Sequence, residues 1–140
     1  MFREEMHRQA FKEEALELLG ELEISLLELE TDPANDEVIN RVFRAMHTIK
    51  GSGAMFGFED IASFTHEVET VFDLARTGRI EVTRELLSLT LLARDHILAM
   101  VEGKDSDTRA EEVIRGLKAL NPGQTPPENA PMREPLSCAL

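Results

Sequence analysis

The chain contains no Trp and no Tyr, and seven Phe supply all the large aromatic surface. A core built from it must rest on Leu, Ile, Val, Met and Phe, which suits helices. Its single Cys, Cys138, excludes an internal disulfide and agrees with a reducing compartment. Basic residues are scarce as well: 15 Lys and Arg stand against 27 Asp and Glu, for a net charge of −12. With no basic patch, nucleic acid and anionic membrane are poor partners. No apolar run is long enough to cross a bilayer, because the longest zone, around residues 86–93, stops at Arg94 and Asp95. The opening MFREEMHRQAFKEE lacks the apolar stretch of a signal peptide. Alternating β-branched runs and internal repeats are missing too, which leaves no basis for a sheet. The expectation is a soluble, cytoplasmic protein.

What is present is helical periodicity over 140 residues, 42% of them hydrophobic, enough for one domain with a substantial core. The first helix is predicted from about Arg3 to Glu30, with Phe11, Ala15, Leu18, Leu19, Leu22, Leu26 and Leu29 on its apolar face and a Glu-rich solvated face opposite. Thr31-Asp32-Pro33 ends it, since Pro turns the preceding residue away from the α region. A second helix starts at Asn35–Glu37, with Asn35 or Asp36 as N-cap, and closes at Gly57. A third runs from Glu59 to Arg76, and a fourth from after Thr83 to Gly103. A weaker fifth covers about Asp107 to Leu120. The expected architecture is all-α: an up-and-down bundle of four main helices plus a fifth, over residues 1–121. Residues 122–140 hold five of the six Pro and few apolar side chains, and read as a linker or disordered tail.

The chemistry concentrates on helices two and three. At about 100° per residue, Val38, Val42, Ala45, Met46, Ile49, Gly53 and Phe56 share the core face of helix two. His47 points nearly opposite its centre. Lys50, three residues on, lies on the flank between. Gly51 and Gly53 each cost roughly 1 kcal/mol in a helix interior relative to Ala. Gly53 falls on the core face, where close packing explains it. Gly51 lies on the His47 side, where a missing side chain leaves room for a docking partner or a phosphoryl group. On helix three, Ile61, Phe64, Thr65, Val68, Val71, Phe72 and Ala75 form the core stripe, while His66 and Glu69 are read as lying off it together. Chain reversal at Gly57 puts His47 ten residues before the turn and Glu69 twelve after it, at similar height. A carboxylate that accepts from Nδ1–H holds an imidazole in the tautomer whose Nε2 lone pair can attack phosphorus, and strengthens it as a nucleophile. Glu69 can do this for His47. Lys50 can offer positive charge to phosphoryl oxygens, and His66 can hydrogen-bond or polarise the same network.

The segment HTIKGSGAMFGF, residues 47–58, resembles the phosphorylation-site motif of histidine phosphotransfer (HPt) domains, in particular the N-terminal domain of the chemotaxis histidine kinase CheA. Phe64-Thr65-His66-Glu67-Val68-Glu69 is similar to the second motif of that family, where a His and a Glu three apart face the phosphorylated His. Asn40-Arg41-Val42-Phe43-Arg44 also fits, and the likeness extends over about residues 9–120. The resemblance implies that His47 is the phosphoacceptor, Glu69 its hydrogen-bond partner, Lys50 and His66 supporting residues, and Gly51 the point of access. It implies two-component signalling: an ATP-dependent kinase domain phosphorylates His47, and a response-regulator aspartate takes the group. No ATP-binding Gly-rich loop, dimerisation helices or coupling domain appears. By itself the domain is then a monomeric substrate and relay, with no cofactor of its own, and ATP and Mg²⁺ are bound by partner domains. The Pro-rich tail resembles the linker of the full kinase, so the chain reads as a piece of one.

Three rivals stand beside that reading. A metal site would draw on His7, His47, His66 and His96. Glu4-x-x-His7 lacks the second such motif of carboxylate-bridged bundles, and His66-Glu67-x-x-Thr70 lacks the second His of a zinc helix. A non-catalytic helical adaptor explains the bundle but not an exposed His flanked by Lys50 and Gly51. A stand-alone phosphorelay HPt protein shares the same site chemistry.

Overall fold

A computed structural model describes residues 2–104 and 109–121. Among them are five helices and no strand: α1 (Phe2–Thr31), α2 (Asp36–Met55), α3 (Glu59–Arg76), α4 (Arg84–Val101) and α5 (Arg109–Leu120). The all-α bundle expected from periodicity is the fold observed. The anticipated start of the fifth helix near Asp107, the tail 122–140 and Cys138 lie outside the described residues.

The helix starts follow from local chemistry. The Asn35 side chain accepts from the Val38 N–H at 3.2 Å, and Asp36 and Glu37 occupy the first turn, where the helix dipole favours negative charge. Thr83 caps α4 in the same way, accepting from the Leu86 N–H at 3.1 Å. Gly57 turns the chain from α2 into α3 with φ +88°, a conformation that costs side-chain-bearing residues steric strain.

Four helices form a ring in which α1 packs on α2 and α4, α2 on α3, and α3 on α4; α5 then lies against α3 and α4. The centre holds Leu19, Leu22, Leu26 and Leu29 of α1, Val42, Met46 and Ile49 of α2, Phe72 of α3, and Leu86 and Ile97 of α4, all at most 1% exposed. Burying each such side chain is worth about 1.5–3 kcal/mol. Every residue of the predicted stripes is buried except Leu18 and Phe56, which are half-buried, and Ser25, Ile39, Ala62 and Glu69 are buried beside them. The fifth helix packs firmly: Val113 and Leu117 are buried.

Two devices lock the α2–α3 hairpin. The Phe58 N–H donates to the Gly53 carbonyl at 2.7 Å, which closes the end of α2 onto the turn. Phe11 of α1 stacks on Phe58 at 4.6 Å between centroids, and Arg8 lies over the same ring. The turn, and with it the register of α2 against α3, is therefore clamped from α1.

Candidate functional site

That register decides which side chains meet. His47, midway along α2, directs Nδ1 at Oε2 of Glu69 on α3, 2.6 Å away. Lys50, three residues further along α2, places Nζ 2.6 Å from the other oxygen, Oε1. Each carboxylate oxygen thus has its own partner on the facing helix. His66, one turn before Glu69, has Nδ1 3.6 Å from Oε1, too far for a hydrogen bond and close enough for electrostatic contact.

Exposure grades across the group. The His47 side chain is 63% exposed, Lys50 28% and Glu69 only 8%. Here the structure corrects the expectation that Glu69 lies off the core stripe: it is a buried residue of α3. Helix periodicity fixes direction on one helix. It does not register how far the neighbouring helix covers that direction, and α2 lies directly over Glu69.

Burial pushes the Glu69 carboxyl upward. The hydrogen bonds from Lys50 and His47, together with their charges, outweigh that effect and hold it below the ordinary carboxylate value. Glu69 is therefore a carboxylate at neutral pH and can only accept hydrogen bonds. The Nδ1 facing it must then carry the proton, which leaves the Nε2 lone pair free. Gly51, one turn beyond His47, has open space about it, since a Cβ built there meets nothing within 4 Å.

The sequence assigns no site role to Phe43 or to Arg76, the last residue of α3. The Phe43 ring stacks on the His47 ring at 6.0 Å, with 19° between planes. The Arg76 guanidinium lies 4.3 Å from the Phe43 centroid and is held by Asp73 at 2.8 Å. The i−4 spacing of Phe43 to His47 was the available signal for the first contact. The second joins the early turns of α2 to the end of α3 and has no local signature.

Of the residues weighed for a metal site, His47 and His66 share Glu69, while His7 and His96 lie elsewhere. His7 lies against Phe56, and His96 lies edge-on to Phe64. Thr70, standing where a zinc helix needs its second His, donates its hydroxyl to the His66 carbonyl. The Glu4 side chain lies outside the described residues. Among the described residues, no three His, Cys, Asp or Glu are grouped so as to hold a metal ion. No helix among them is long and apolar enough to cross a membrane.

Comparison with known proteins identifies the family and the fold. The chemotaxis protein CheA of Rhizobium meliloti is 34% identical over 140 residues, covering 94% of this chain and 18% of that protein. The chain therefore spans under a fifth of that relative's length. The CheA phosphotransferase domain from Thermotoga maritima is 38% identical, covers 70% of this chain and 93% of its own, and superposes with a TM-score of 0.68. The phosphorylated P1 domain of CheA3 in complex with CheY6 from R. sphaeroides is 25% identical, covering 81% of this chain and 94% of that one, with a TM-score of 0.73. The family model of the Hpt domain matches residues 7–106. The chain belongs to the Hpt domain family.

Proposed function

We propose that this chain is the phosphotransfer domain of a chemotaxis-type histidine kinase, and that His47 carries the phosphoryl group. The observation that carries the reading is the 2.6 Å bond between His47 Nδ1 and a buried carboxylate, which leaves Nε2 as an exposed nucleophile. In the first transfer, the Nε2 lone pair forms a bond to the γ-phosphorus of ATP held by a kinase catalytic domain. The bond from that phosphorus to the bridging oxygen breaks, and ADP leaves with its electron pair. The ring becomes positively charged, and Glu69, against Nδ1–H, balances that charge. Lys50 uses one of its three donors on Oε1 and has others for phosphoryl oxygens. His66 contributes at longer range. In the second transfer, an aspartate oxygen of a response regulator attacks the phosphorus, and the P–N bond breaks back to the imidazole.

The P1 domain of R. sphaeroides CheA3, phosphorylated and in complex with CheY6, supports a receiver of that kind as partner. ATP and Mg²⁺ belong to the partner domains, and the domain has no cofactor of its own. It acts as a monomer in the cytoplasm.

The test is incubation with ATP and a CheA-type kinase core, followed by acid treatment. Acid-labile label on the wild-type chain, absent from His47→Gln, is the expected result. Label that resists acid, or that survives the substitution, overturns the reading. A chain that takes no label under these conditions is a helical adaptor.

A further inference from the structure

A single hydrogen bond at Nδ1 anchors one atom of the His47 ring and leaves the plane free to swing about it. Nε2 is on the far side of the ring, so a swing moves the nucleophile most. In-line attack on phosphorus demands a fixed approach, and small misplacements of a reacting atom are expensive in rate. Something besides Glu69 has to hold the plane, because 63% of the His47 side chain faces solvent.

Among the described residues, the aromatic ring that lies against His47 is that of Phe43. It lies one turn earlier on the same helix, at 6.0 Å between centroids and 19° from parallel. Phe43 is half-buried against the core, so its own ring has limited freedom. Arg76, in the last turn of α3, places its guanidinium 4.3 Å from that ring, and Asp73 fixes the guanidinium through Nε at 2.8 Å. A cation over an aromatic face is attracted by the ring's negative face, which favours one ring setting over others. The chain of contact therefore runs Asp73, Arg76, Phe43, His47 and crosses from α3 to α2. It meets the imidazole by its ring plane, whereas Glu69 holds it by an edge nitrogen.

We infer that Phe43, braced by Arg76, is a positioning residue for phosphotransfer: it sets the plane of the His47 ring and so the direction of the Nε2 lone pair. This deepens the proposed function and rests on it. Neither residue touches the phosphoryl donor; both act through His47. Two supports on one ring also explain how a mostly exposed imidazole is kept in one orientation without a pocket around it.

The experiment has two arms on the same proteins. The first follows acid-labile phosphorylation of wild type, Phe43→Leu, Phe43→Tyr and Arg76→Gln by a CheA-type kinase core, separating kcat from KM for the domain as substrate. The second measures ¹³C relaxation order parameters of the His47 ring in the unphosphorylated domain. Phe43→Leu should lower kcat by roughly tenfold with KM within about twofold, and should lower the ring order parameter. Phe43→Tyr, which keeps the ring, should restore both. Arg76→Gln, an exposed change that leaves the core intact, should move both the same way by a smaller factor, so a misfolded Phe43→Leu does not remove the test. Unchanged kcat and ring order in Arg76→Gln and in a folded Phe43→Leu overturn the inference while leaving the function of His47 standing. Failure of the wild type to take label overturns the proposed function, and the ring order parameters still report whether Phe43 orders His47.

Discussion

Two charged side chains are largely withdrawn from solvent at helix crossings in this bundle, and they are used in opposite ways. At the α1–α4 crossing, Arg94 is 14% exposed, donates from Nε to the Leu19 carbonyl at 2.9 Å and from Nη1 to Asp95 at 3.0 Å, and has Glu23 at 3.6 Å. Its contacts close on the bundle itself. At the α2–α3 crossing, Glu69 is 8% exposed and also has both ends engaged. One of its partners, however, is a mostly exposed ring whose second nitrogen points outward. A half-buried charge spent on a backbone carbonyl and on inert surface carboxylates holds helices together. A buried charge whose partner is a reactive ring facing solvent prepares chemistry.

The sharpest way to break this comparison is to neutralise each charge and read both rate and stability. Glu69→Gln should lower the phosphorylation rate by about two orders of magnitude. The amide nitrogen of Gln can donate to Nδ1, which forces the proton onto Nε2 and blocks the nucleophile. Single-turnover labelling by the kinase core measures it, and a rate within threefold of wild type would refute the tautomer argument. Arg94→Met should do the reverse. It should cost about 1–3 kcal/mol, the usual range for a charged hydrogen bond lost at a mostly buried site, and leave the rate of label uptake unchanged. Urea unfolding measures it, and a slowed transfer at unchanged stability would erase the contrast.

The third prediction uses acid. Glu69 titrates below its ordinary value of 4.5 in the folded chain. A depressed folded-state value means that its contribution is fully present above the unfolded value. That contribution is lost as pH falls through the depressed one. Stability of the wild type should therefore drop more steeply below pH 4.5 than that of Glu69→Gln, as followed by urea midpoints across that range. Parallel curves would show that the paired carboxylate adds nothing. The smallest effect is expected from Gly51→Ala. A Cβ there meets nothing, so the helix should gain up to about 1 kcal/mol. Any loss in transfer would come from the docked partner, and would appear as a raised KM.

Much of this is legible in the sequence. The stripes of α1, α2 and α3 follow from spacing, and Asn35, Thr83 and Gly57 mark boundaries that local chemistry enforces. Even the meeting of His47 with Glu69 follows from counting back and forth across Gly57. What escaped was depth and reach. A helical wheel knows only its own helix and sets Glu69 off the core, whereas its burial is imposed by α2. Arg76 was invisible because a long side chain reaching across to another helix leaves no period. Phe43 carried the right spacing, but its stacking depends on rotamers that packing selects.

The tight turn at Gly57 has one more consequence. Because α2 and α3 are joined by so short a connection and clamped by Phe11 on Phe58, residue number along the hairpin works as a ruler. One residue inserted between His47 and Gly57 would rotate the imidazole by about 100° and shift it by about 1.5 Å, carrying it off Glu69. The segment between α3 and α4, Thr77 to Thr83, measures nothing for the pair and is free of that constraint. Among relatives that keep this chemistry, length variation should accordingly be admitted after Arg76 and refused between residues 47 and 69.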